Sequence, residues 1–334
     1  MDDSQCLANR FEDDRPRLRA VAYRMLGSLP DAEDALQDTW ERLSRAGTAE
    51  VENLGGWMTT VLARVCLNML RARGTRGEGS GEVRLPDPIV TPDGNPGPEE
   101  EALVAASVGL ALQVVLDTLT PPERLAFVLH DLFDLPFEEI APVVARTPQA
   151  ARQLASRGRR RVRGATVPPP DPDLARQRAV VEAFFSASRA GDLDALVCLL
   201  DPDVVLRADF GPRRRSAATT LRGAATVARR AMLGARPGTA LYPALINGAA
   251  GMVITMHGRP HAVMAFTVVG GRILEIDAVA DPERVARVAA TVLAGVQHPA
   301  GPGSTGGARE HRHQDLPDPM GAQAPPGNED GRRS

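Results

Sequence analysis

The chain contains no lysine: its 39 basic residues are all arginine, set against 42 acidic residues for a net charge of −3. That balance excludes a uniformly basic nucleic-acid coat and leaves room only for a local basic patch. Together with abundant Ala, Gly and Pro, the arginine bias reads as the codon bias of a GC-rich genome. Cysteine is nearly absent. Cys6, Cys66 and Cys198 lie far apart, with neither metal-ligand spacing nor a disulfide framework, so the expected setting is reducing and cytoplasmic, without metal. No apolar run reaches the roughly 20 residues that cross a bilayer. The nearest, Ala102 to Leu116, is interrupted by Ser107 and Gln113 and reads as a buried helix, so no membrane association is expected. The acidic start Met1-Asp2-Asp3-Ser4 has no signal-peptide pattern. No internal repeat is present.

At 334 residues with 43% hydrophobic content, the chain has material for two or three ordinary cores. Composition shows where they divide. From Gly74 to Glu101, 28 residues hold six Gly and five Pro without helical period, the pattern of a flexible linker. Val167-Pro168-Pro169-Pro170-Asp171-Pro172 is a shorter, stiff break. From Gly295 to Ser334, eight Gly and six Pro in 40 residues predict a disordered tail. The expected pieces are 8–73, the linker 74–101, then 102–165, 174–294 and the tail 295–334.

The first piece reads as all helix. Asp31, Glu33, Asp34, Gln37 and Asp38 follow Pro30 on one helix, with acids in its first turn where the macrodipole favours them. On a helix beginning near Trp57, Met58, Leu62, Val65 and Met69 form an apolar stripe. Trp57, Thr60, Arg64, Asn68 and Arg71 fall on another side, where arginine can hold phosphates and tryptophan can stack on bases.

The second piece carries a sharper signal. Thr120 before Pro121, with Glu123 three residues on, is a capping-box start. A short helix near 137–144 follows, with Pro142 inside it, a position tolerable only if the helix starts late or bends. After Ala145-Arg146, Thr147 and Pro148 open another helix. On that helix Ala150, Ala151, Leu154, Ala155, Gly158 and Val162 form a face of small residues, opposite Gln149, Arg152, Gln153, Ser156, Arg160 and Arg163. Helix, tight turn and helix with an Arg/Gln outer face is a helix-turn-helix suited to the major groove. Residues 146–164 carry seven Arg and no acid, whereas residues 1–74 hold 10 Arg against 12 acids. The basic charge is therefore concentrated on one helix.

These residues resemble a known family. Tyr23-Arg24-Met25-Leu26-Gly27-Ser28, Asp31-Ala32-Glu33-Asp34-Ala35 and Trp57-Met58-Thr59-Thr60-Val61 resemble sigma region 2. Glu138-Glu139-Ile140-Ala141 and Ala151-Arg152-Gln153-Leu154-Ala155-Ser156-Arg157 resemble sigma region 4. Two such blocks in this order resemble the extracytoplasmic-function (ECF) sigma factors of bacterial RNA polymerase. The resemblance implies that Asp31, Glu33, Asp34, Gln37 and Asp38 contact core polymerase. It also implies that the helix from Trp57 lies at the minus-ten promoter element, with Asn53 in the preceding loop near an unstacked base, and that the helix from Thr147 reads the minus-thirty-five element. The rival readings are an enzyme fused to a DNA-binding regulator and an effector-controlled repressor. The repressor leaves the Asp31–Asp38 helix unexplained.

The third piece begins with an amphipathic helix, Leu174 to Arg189. Strands are expected near 204–209, 241–247, 252–257, 261–269 and 272–279, with Gly270-Gly271 as a two-residue hairpin turn, and a helix over 282–293. This pattern resembles the SnoaL-like, cystatin-like α+β cone, so the whole reads as two all-α sigma domains followed by an α+β domain. The resemblance to one ECF group extends to Arg84-Leu85-Pro86-Asp87-Pro88 and Ala280-Asp281-Pro282-Glu283-Arg284, and implies that the last domain modulates the sigma factor. Asp209-Phe210-Gly211-Pro212 is less glycine-rich than that group's turn. Arg207, Asp209, His257, Glu275 and Asp277 are the candidate lining of a small-molecule pocket. No catalytic or metal constellation is readable, and no cofactor is expected.

Overall fold

The computed structural model describes residues 3–46, 53–75, 84–92, 109–164, 170–211 and 219–297. Three long helices come first: α1 (Asp3–Leu26), α2 (Leu29–Ala46) and α3 (Leu54–Thr75). In α2, Ala32, Ala35, Leu36, Thr39 and Leu43 are buried, a one-faced helical spacing that packs α2 on α1 and α3. Asn53 caps α3, its side-chain oxygen accepting from the Gly56 amide at 3.0 Å.

The next helices are α4 (Leu110–Asp117), α5 (Pro121–Phe127), α6 (Phe137–Val144) and α7 (Pro148–Gly164), with a wider turn at Val128–Leu132 after α5. The carboxylate of Glu123 accepts from the Thr120 hydroxyl at 2.8 Å and the Thr120 amide at 3.3 Å, while the Thr147 hydroxyl accepts from the Ala150 amide at 3.2 Å. Both helix starts thus have the capping chemistry their sequences call for. Pro142 is the sixth residue of α6, and the carbonyl it leaves without a helical donor belongs to Glu138, itself exposed. That carbonyl lies on the exposed side of the helix, where losing its helical donor costs little, so the helix need not start late. Gly158 faces the Cβ of Phe127 closely enough that an added Cβ would sit 3.0 Å away. This lets α7 lie tightly on α5.

The α+β domain has α8 (Leu174–Ala190), α9 (Leu193–Leu199) and α10 (Ala224–Gly234) beside β2 (Leu200–Asp209), β3 (Thr219–Arg222), β4 (Thr239–Ile246), β5 (Ala249–Met256), β6 (Arg259–Val269) and β7 (Arg272–Val279). It closes with α11 (Pro282–Val288) and α12 (Ala290–Gln297). Gly270 and Gly271 both have positive φ, at 59° and 77°, as the expected hairpin requires. One face of the sheet buries Met252, Phe266 and Ile276 against Val181 and Phe184 of α8. The other buries Val253, Val263 and Val279 against Val285, Val288 and Val292. Burial on both faces explains why β5 is apolar but for Thr255 rather than alternating.

The connector departs from expectation. Val90–Pro92 forms β1, antiparallel to β4 with Val90 opposite Ile246, so the seven-stranded sheet runs β1-β4-β5-β6-β7-β2-β3. Leu85, Asp87, Ile89 and Val90 are buried. Residues 84–92 are therefore docked structure rather than flexible linker: apolar side chains at Leu85, Ile89 and Val90 bury surface that an open linker would leave in water. The neighbouring 76–83 and 93–101, the break at 167–169, Pro212 and the tail from 298 lie outside the described residues.

Candidate nucleic-acid interface

The acidic residues of α2 divide by partner. Asp31 pairs with Arg73 of α3, and Glu33 pairs with Arg19 at 2.5 Å and Arg15 at 3.3 Å of α1. These two tie the helices together. Asp34, Gln37 and Asp38 are exposed, with only Arg42 near Asp38 at 3.7 Å. They are the residues of this set that face solvent.

On α3, Arg64, Asn68 and Arg71 are exposed and Trp57 is half-buried against the core. Thr60 bonds the Gly56 carbonyl at 3.0 Å. Asn53 is exposed but its side chain is engaged in the cap. Cys66, on the opposite face, is buried, and burial pushes its thiol up to about 12, so it is unreactive.

On α7 the arginines segregate. Arg157 and Arg161 reach inward to the buried carboxylate of Glu123, and Arg159 pairs with Asp131 at 3.1 Å. Burial raises the pKa of Asp131, against the pull of Arg159. Gln149, Arg152, Gln153, Ser156, Arg160 and Arg163 are all exposed, with the Arg152 guanidinium 5.2 Å over the Phe137 ring. Ala151, Ala155 and Gly158 are buried behind them. The turn before α7 places Ala145 at φ 54°, which fixes α6 and α7 as a helix-turn-helix pair.

A polar junction joins these helices to the α+β domain. Arg284 donates to Asp87 at 2.7 Å, to Asp209 at 2.6 Å and to the Leu85 carbonyl at 2.6 Å. Asp209 also accepts from the Leu85 and Gly211 amides. Asp87 accepts from the Leu29 amide at 3.2 Å. The buried Tyr23 hydroxyl donates to the Asp87 carbonyl at 2.6 Å and accepts from Asn247 at 3.1 Å, and burial raises its pKa. Asn247 in turn accepts from the Ile89 amide at 3.0 Å. The two motifs Arg84–Pro88 and Ala280–Arg284 are thus the two halves of one contact. Asn247 has no signal in the sequence, since a lone amide carries no pattern, and Tyr23 stands out there only as part of the block that resembles sigma region 2.

The five residues expected to line a pocket do not line the main cavity of the α+β domain. Arg207 forks onto Asp277 at 2.7 Å and Glu275 at 2.7 Å. Burial opposes the charge of Arg207, but Asp277 and Glu275 raise its pKa overall. Burial raises that of Asp277, with Arg207 pulling it back. Asp209 belongs to the junction, and exposed His257 sits in the β5–β6 turn with its amide on the Gly238 carbonyl. The cavity has a largely apolar wall instead. Polar groups on adjacent strands neutralise one another, which leaves the apolar residues to face the void. Among the described residues, no group of three or more His, Cys, Asp or Glu could hold a metal, and no helix is long and apolar enough to cross a membrane.

An acid-faced three-helix unit followed by a helix-turn-helix with a basic outer face defines a two-block DNA-binding transcription factor. Residues 11–76 match the Sigma-70 region 2 family and residues 109–162 the Sigma-70 region 4 family. The chain is 36% identical over 292 residues, covering 83% of it and 92% of the relative, to the ECF RNA polymerase sigma factor SigJ of Mycobacterium tuberculosis. It is 34% identical over 194 residues to the probable ECF sigma factor SigI of the same species, covering 57% of this chain and 65% of the relative. The crystal structure of SigJ superposes with a TM-score of 0.65 at 32% identity, covering 83% of this chain and 97% of that one. The chain belongs to the ECF sigma factors of RNA polymerase.

Proposed function

We propose that this chain binds core RNA polymerase through Asp34, Gln37 and Asp38 of α2, with Asp31 and Glu33 holding that helix in place. In this reading α7 reads the minus-thirty-five element, with Arg152 and Gln153 at base edges and Arg160 and Arg163 on phosphates. On α3, Trp57, Thr60, Arg64, Asn68 and Arg71 serve the minus-ten element, and Asn53 shapes the entry loop. The chain performs no covalent chemistry; it recruits the enzyme that does. The observation that carries this reading is the sorting of arginines on α7: Arg157, Arg159 and Arg161 are paired with acids, while Arg152, Arg160 and Arg163 are exposed beside Gln149, Gln153 and Ser156.

The packing supports a regulated form. Helix α3 packs on α5 and α6, and residues of both blocks, from Phe11 to Ala155, share one apolar core. Elements 25 base pairs apart lie about 85 Å apart along B-DNA, so the two blocks must separate to engage both. The α+β domain, gripping residues 84–92 through Arg284 and Asn247, favours the closed arrangement, and its docking sets how readily the blocks part.

The test is in vitro transcription with core polymerase over a genomic fragment library, comparing the full chain with one ending near Asp173. A several-fold change in promoter-directed transcripts is expected, and equal output at matched concentration and core saturation refutes modulation by the last domain. Asp34→Arg with Gln37→Ala is expected to weaken core binding in a pull-down with helical content intact. Unchanged affinity refutes the role given to α2.

A further inference from the structure

We propose that the cavity of the α+β domain binds a small organic anion with an apolar body, such as a medium-chain or aromatic monocarboxylate. The cavity measures about 190 Å³. Its wall is built by Phe184 and Phe185 of α8, Leu206 of β2, Phe210, Ile254 of β5 and Met264 of β6. An apolar cavity of about 150 Å³ accommodates benzene, so this one suits a body of roughly eight to ten non-hydrogen atoms.

The rim gives the ligand its charge. Arg189, Arg230 and Arg236 all border the cavity, all are exposed, and none has an ion pair among the described residues. Within the same domain and at the junction Arg207 and Arg284 are matched with carboxylates, at Asp277 and Asp87. No acidic residue is among those lining the cavity. Its other polar side chains are Ser188, Thr239 and His261. Ser188 donates to the Ala231 carbonyl at 3.0 Å, and the Thr239 hydroxyl is buried with no protein partner. Three cations around the mouth of an apolar void, one of them each on α8, α10 and the turn before β4, select a ligand whose carboxylate stays at the rim while its tail is buried. A cationic amphiphile of the same length is repelled, and a neutral one gains only the apolar burial.

The experiment is calorimetric titration of the full-length chain with octanoate, octanol and octylammonium, below their aggregation limits. Octanoate is expected to bind at one site, about 10-fold or more tighter than octanol, with octylammonium not binding. The variant R189A/R230A/R236A, altered only at exposed positions, is expected to lose that preference while its octanol affinity is unchanged. A278L, which fills the cavity, is expected to lose both ligands. No binding by octanoate, octanol binding as tightly as octanoate, or a preference that survives the triple arginine variant each overturns the proposal. Octanoate binding that survives in folded A278L overturns it as well, by placing the ligand elsewhere. Should A278L fail to fold, the arginine variant decides.

Discussion

Arginine does opposite work in the two halves of this molecule. On α7 the outer arginines are held out into water by a small-residue face packed against α5, and their charge is left for a polyanion. In the α+β domain and at the junction the guanidiniums of Arg207 and Arg284 are mostly buried, each forked over two carboxylates. If α7 reads DNA as proposed, the same side chain is a reader in one place and a pin in the other. The difference lies in what surrounds it: acids on neighbouring strands and at the junction consume the donors of Arg207 and Arg284, whereas Arg152, Arg160 and Arg163 lie exposed outside the ion pairs of Glu123 and Asp131, the acids that take the other arginines of α7. In a chain without lysine, location rather than residue type separates the roles.

The sharpest way to break this contrast is Arg284→Ala. It strands the buried carboxylates of Asp87 and Asp209 and removes the donor to Leu85, and about 3–5 kcal/mol of stability is expected to be lost, read from the urea midpoint. Arg207→Lys keeps the charge but cannot fork onto Asp277 and Glu275. A loss of about 1–3 kcal/mol is expected, with binding to a minus-thirty-five duplex unchanged. On the reader side the pattern inverts. Arg152→Ala is expected to cost about 1–3 kcal/mol of discrimination between matched and scrambled minus-thirty-five elements and to leave stability within about 0.5 kcal/mol; equal weakening on both duplexes removes Arg152 from base reading. Arg160→Ala is expected to weaken all sequences alike and to lower the salt slope of binding by about 1.

Local chemistry was legible in the sequence. The capping residues Thr120 and Thr147, the hairpin at Gly270-Gly271 and the small face of α7 each act within a few residues, and each appears where its pattern placed it. Helix α10 carries a signal of the same local kind, Val227, Ala228, Ala231 and Met232 at helical spacing. What the sequence hid is long-range register. Strand β1 is three residues in a proline-rich stretch, and its partner β4 lies some 150 positions away. Arg207 and Asp277 are directly opposed only because β2 and β7 run parallel in that register. Without that pairing, polar residues on strands read as a pocket, when in fact they cancel one another and the cavity falls to the apolar side.

The Tyr23 hydroxyl has a consequence for the order in which this protein is made. It joins Asp87, 64 residues downstream, to Asn247, 224 residues downstream, and Arg284 closes onto Asp87 across 197. Contacts spanning such lengths form late, because the closure entropy of the intervening chain must be met first. During synthesis from the N-terminus, α3 and α7 leave the ribosome before either Asn247 or Arg284 exists. The nascent sigma factor is therefore born unlatched, and the grip on residues 84–92 closes only once Asn247 and Arg284 have emerged.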